Sequence, residues 1–174
     1  MIRRVRLWAL ILYSRLKPAN KRYVALAREC AQRASDLAAG IMARERAALE
    51  DDGTEHLLND ETMHSITLPF LWGIFHELAL EYPEFHANAL DRTKVHLIQH
   101  LMTVHGYSLD RARNEANGVE DRCNKADVLF DVIEDCGKEA FHGRKAGGLS
   151  HVVQSLVQSF DEAGMSADKY RMQH

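Results

Sequence analysis

Ten of the 174 residues are histidine, and their spacing is the first place to look for chemistry. His96 and His100 stand four apart, so on a helix they share a face and could both reach one metal ion. His86 precedes this pair and His105 follows it. The stretch His96-Leu-Ile-Gln-His100 lacks the glutamate of a zinc-protease helix, and His76-Glu77 has no second histidine three residues on. A hydrolytic zinc motif is therefore absent.

Two Glu-x-x-His units stand out more: Glu61-Thr-Met-His64 and Glu139-Ala-Phe-His142. On a helix, residues three apart point the same way, and two such helices facing each other can hold two metals. Carboxylate-bridged bundles of the ferritin-like type use that arrangement, with one further glutamate from each of two other helices. Glu29, on the segment before the first unit, is placed to supply one of these. The set Glu29, Glu61, His64, Glu139 and His142 thus defines a candidate site for iron, manganese or zinc. Against it, residues 85–105 offer no acid except Asp91, and Pro69 interrupts soon after His64. The likeness is one of spacing over these few residues. The simpler reading is histidines satisfied by backbone or water, with no cofactor.

Cys30, Cys123 and Cys136 form an odd set without CxxC spacing. On one helix, Cys123 and Cys136 would lie roughly 19 Å apart, too far to bridge. Buried thiols in a reducing, cytoplasmic setting are expected. Gly143-Arg-Lys-Ala-Gly-Gly148 lacks Walker spacing and a preceding strand, and no serine or cysteine has a nucleophile's surroundings. No complete catalytic set is present, so enzymatic readings rank below binding.

Leu68-Pro-Phe-Leu-Trp-Gly-Ile-Phe75 is too apolar for a surface helix with a single inward stripe. Either it is a buried central helix, the preferred reading, or it leaves a patch that a second subunit or another protein covers. Under the second reading Phe70, Trp72 and Phe75 are the interface residues.

Charge is segregated. Residues 1–22 carry seven cations and no acid, so a formal net charge of −3 overall leaves −10 on the remainder. The segment Met1–Pro18 has an apolar centre too short to span a membrane, which takes about 20 residues, and no small-x-small cleavage site. It reads as a short amphipathic helix on its own body, as an interfacial anchor using Trp8 with Arg3, Arg4 and Arg6 on anionic lipid, or as a phosphate-binding arm. An acidic body does not suit nucleic acid.

These residues must be positioned by helices. Good helix formers dominate, with only three prolines and ten glycines, and no strand-like alternation persists. Ala19–Glu50 reads as one long amphipathic helix with an alanine-rich stripe. Asn59 caps the next, Pro69 interrupts, and Phe70–Glu81 follows. Pro83–His105 ends at Gly106, with Leu90, Leu97, Leu101 and Val104 inward. Ser108 caps a short helix to Asn117, and residues 119–142 place Cys123, Ala126, Leu129, Phe130, Ile133, Cys136 and Ala140 on one face, with Glu120, Asp127, Asp131, Glu134 and Asp135 opposite. Ser150 caps a last helix.

The expectation is an all-α, single-domain bundle of about six to eight helices. It comprises a basic arm (1–22), a bundle domain (23–163) and a polar tail (164–174). The leading function is a non-enzymatic protein-interaction or regulatory module, binding a protein partner or itself as a homodimer. The rivals are the di-metal bundle and peripheral attachment to a membrane surface.

Overall fold

A computed structural model describes residues 18–54, 57–81, 89–125, 127–144 and 148–162, with residues 18–31, 81, 89–91, 160 and 161 described by backbone alone. Within them the chain forms six helices and no strand: α1 (Pro18–Asp51), α2 (Asp60–Glu81), α3 (Ala89–Thr103), α4 (Leu109–Asn124), α5 (Val128–Phe141) and α6 (Leu149–Glu162). None is long and apolar enough to cross a membrane. Arg3, Arg4, Arg6 and Trp8 lie outside the described residues, as does the 164–174 tail. Proline, tolerated in a helix's first turn, opens α1 at Pro18, within the stretch assigned to the basic arm.

The long apolar run makes α2 the central helix. It contacts α1, α3, α4 and α5, its largest interface being with α5. Phe70, Leu71, Trp72, Ile74 and Phe75 are all 0% exposed. A helix apolar on every side is stable only when covered on every side. Phe70, Trp72 and Phe75 are therefore core residues, and the expectation that they form an interface is corrected.

Pro69 does not end the helix as expected; α2 runs through it. Proline removes the N–H that would bond the carbonyl of residue 65. Here Arg122 Nη1 of α4 donates to the Ser65 carbonyl, at 3.5 Å. Asn59 caps α2 as expected, its Oδ1 accepting from Thr62 N–H at 2.8 Å.

Gly73 and Gly137 set how closely α2 and α5 approach. A Cβ on Gly73 would lie 2.0 Å from the Glu134 carbonyl oxygen, and one on Gly137 would lie 2.1 Å from that of Phe70. Only hydrogen fits at this crossing.

The expected 119–142 helix is two helices. Gly118 lies within α4, which ends at Asn124, and α5 starts anew at Val128, where Asp127 Oδ1 accepts from Leu129 and Phe130 N–H at 3.1 and 3.3 Å. Capping outweighs the loss from one helical glycine. Cys123 and Cys136 fall on separate helices as free, half-buried thiols. Of the expected inward face, Phe130, Ile133 and Ala140 are buried but Leu129 is exposed, and Ala126 lies outside the described residues. Glu134, assigned to the polar side, is buried.

In α3, Leu97 and Leu101 point inward as expected, joined by Thr93 and His100; the side chain of Leu90 lies outside the described residues, and Val104, just past the helix end, is exposed. Gly106 takes φ +65°, and Tyr107 N–H returns to the Leu101 carbonyl at 3.1 Å, the C-terminal stop its position implied. Ser150 does not cap α6. Glu45 of α1 does so, accepting from Leu149 N–H at 2.7 Å, while Ser150 donates to Asp52.

Candidate functional site

The spacing of His96 and His100 does place both imidazoles on one face of α3, and that face meets Phe75. Their ring centroids lie 6.0 and 5.5 Å from the Phe75 ring. A ladder of rings continues from His100 to His105 at 5.7 Å, to Tyr107 at 5.7 Å and to His64 at 6.5 Å. The Arg111 guanidinium lies 3.8 Å from the Tyr107 ring centre.

Hydrogen bonding fixes the protons on His100. Thr103 Oγ1 donates to the Gln99 carbonyl at 2.9 Å, so Ser35 Oγ must donate to Thr103, at 3.0 Å. Ser35 Oγ, its one proton spent, then accepts from His100 Nδ1–H at 3.2 Å. Nε2 is left as an acceptor. Burial, and then the charge of His105, pushes the His100 imidazole down to about 4. Burial and then Arg92 bring His96 to about 4. His105 is lowered by burial, then by the charges of Arg46 and His64. At neutral pH His96 and His100 are uncharged.

Beside His100 and His105 lies an open cavity of about 390 Å³ between α1 and α3, with Ala43, Arg46, Ala47, Glu50, Val104 and His105 exposed around its mouth. Ala39, Ala43 and Ala47, one turn apart, form its α1 wall, and Met42 and Leu71 add apolar surface. The alanine stripe therefore does two things: Ala34 and Ala38 pack into the core, and the following alanines leave room. Arg46 and Glu50 stand at the cavity as exposed side chains, and no ion pair joins them. That volume is at the small end of ligand cavities, which run from about 300 to 1,000 Å³.

The residues of the proposed metal site take separate partners. His64 Nε2 lies 3.5 Å from Glu115, too loosely aligned for a hydrogen bond. His142 Nε2 meets Glu77 at 3.0 Å, and Glu139 meets Arg144 at 2.8 Å. Glu61 is exposed at the start of α2, and Glu29 lies on α1 in the stretch described by backbone alone. Among the described residues, no three His, Cys, Asp or Glu side chains converge as a metal-holding group.

A second polar cluster, unseen in the sequence, braces α2 against α5. Glu134, with 7% of its side chain exposed, accepts from His76 Nδ1 and Lys138 Nζ, each at 2.9 Å. Burial pushes its carboxyl up, but the two hydrogen bonds and the Lys138 charge hold it below the usual carboxylate range. Gly73 brings the α2 backbone onto Glu134, which is why a residue patterned for solvent is buried. None of these three side chains lines the cavity, so the cluster reads as a brace.

Among the described residues, the most exposed large apolar side chains on one element are those at the start of α5. Val128 is 76% exposed, Val132 54% and Leu129 44%. Asp131 and Asp135 are exposed among them. Burial, and then the neighbouring acids, raises the thiols of Cys123 and Cys136, so neither is poised as a nucleophile.

Compared with known proteins, the chain matches no family model, no curated sequence and no solved structure.

Proposed function

We propose that the chain is a non-enzymatic helical interaction module that docks a protein partner on the first two turns of α5. The observation that carries this reading is the exposure of Val128, Leu129 and Val132 together on a helix whose other flank is well buried. Grouped, solvated apolar side chains mark contact surfaces more than isolated ones do. The occupant we commit to is an amphipathic helix presenting apolar and basic residues. Asp131 and Asp135 flank the apolar residues, and the chain outside residues 1–22 carries a net −10. Complementary charge would steer such a segment and make its capture sensitive to salt. The ion pairs Lys138–Asp135 and Arg144–Glu139 lie one side of the apolar group, leaving Val128 and Val132 uncovered.

The test uses the full chain with a photo-crosslinker at Leu129, followed by mapping of the linked segment. Expected is a cross-link to a segment rich in Lys or Arg and apolar residues, lost in Val132→Asp and weakened in Asp131→Lys, with unchanged helical content in both variants. A cross-link that survives both substitutions, or one confined to acidic segments, overturns the reading. A cross-link to the same α5 face of a second copy would replace the partner with a homodimer.

A further inference from the structure

We infer that the cavity between α1 and α3 is a binding site for a small zwitterion with an apolar body, of the amino-acid type. The cavity has three kinds of wall, and each recognises one part of such a molecule. Ala39, Ala43, Ala47, Met42 and Leu71 offer a smooth apolar surface for a hydrocarbon frame. Arg46 presents a planar guanidinium, the donor geometry that matches a carboxylate. Glu50, one turn further along α1, presents a carboxylate for an ammonium group.

Arg46 and Glu50 are four residues apart yet form no ion pair with each other, and no other side chain among those described neutralises either one. The order, arginine ahead of glutamate along the helix, is the less favourable one for pairing. Two opposite charges held open at one cavity suit a ligand that carries both. His100 adds an acceptor: with Nδ1 engaged by Ser35, its Nε2 can take an N–H. A simple anion would use Arg46 but bring its charge near Glu50, and a simple cation would do the reverse. This site is on the opposite helices from the α5 face and does not depend on it.

The experiment follows the imidazole resonances of His100 and His105 in the full chain at neutral pH. The probes are leucine and phenylalanine as zwitterions, isovalerate as an anion of similar frame, and isoamylamine as the matching cation. Expected are saturable shifts with at least one zwitterion at millimolar concentration, and binding at least about tenfold weaker for both singly charged probes. Arg46→Gln and Glu50→Gln should each weaken the zwitterion by about tenfold or more. Both side chains are exposed, and unpaired among the described residues, so the unfolding midpoint should stay in place. Ala43→Phe, which fills the cavity from an exposed helical position, should abolish the shifts in a folded protein. No saturable shift with either zwitterion overturns the inference, as does equal binding of isovalerate or isoamylamine, or undiminished binding by Ala43→Phe.

Discussion

His100 is held in a position where protonation and burial oppose each other. Its Nδ1–H is committed to Ser35, and its ring rests against Phe75. The folded-state value of about 4 lies below the ordinary 6.5, so as pH falls the unfolded chain takes up the proton first. Stability from this residue is complete above pH 6.5 and drains away between 6.5 and about 4. The full effect is at most about 3 kcal/mol. His96, shifted to a similar value, adds to the same slope. The loss of stability in urea between pH 7 and pH 4.5 should therefore be smaller in His100→Gln, though not abolished, since His96 and His105 remain on the same slope. An unchanged loss would show that the acid sensitivity lies elsewhere. The sequence made the shared face of His96 and His100 legible, because four-residue spacing on a helix allows no other arrangement. It could not show that the face would meet Phe75 instead of a cation, because that depends on which helix docks there.

Helix boundaries were legible where a side chain or a glycine makes a local bond, as at Asn59 and Gly106. They were misleading at Pro69 and Gly118, where packing supplies what the local sequence lacks. Arg122 joins these two exceptions. It donates to the Ser65 carbonyl freed by Pro69 and to Asp127, the cap of α5, at 3.1 Å from Nε. Asp127→Ala should cost about 1 kcal/mol by loss of the cap, read as a lower urea midpoint. The α2–α5 crossing is more severe. Gly73→Ala and Gly137→Ala each place a methyl about 2 Å from backbone carbonyl oxygen, which no rotamer change relieves. Overpacking a core usually costs about 1–3 kcal/mol, and a backbone neighbour puts both substitutions at or above the upper end. Calorimetry should show a lower, broader transition for each, and full retention of the wild-type midpoint would mean that α5 can slide. Neither glycine was singled out by spacing, since a single glycine in a helix looks the same in sequence whether it faces solvent or a crossing helix.

At the scale of the whole molecule, the apolar surplus at residues 68–75 is buried in the core, and the apolar residues Val128, Leu129 and Val132 are exposed on α5. Trp72→Asp would place a carboxylate at a fully buried position on the central helix. An isolated buried charge costs far more than a domain's net stability of about 5–15 kcal/mol can absorb without rearrangement. The expected outcome is loss of the cooperative unfolding transition, with no folded monomer left. Val132→Asp places the same group on a half-exposed site beside Asp131 and Asp135. There the change should lie within about 0.5 kcal/mol, the usual range for surface substitutions, while binding through α5 is lost. If both variants unfolded alike, α5 would be covered by more of the chain than the bundle shows. If both stayed folded, α2 would not be the helix around which the other elements assemble.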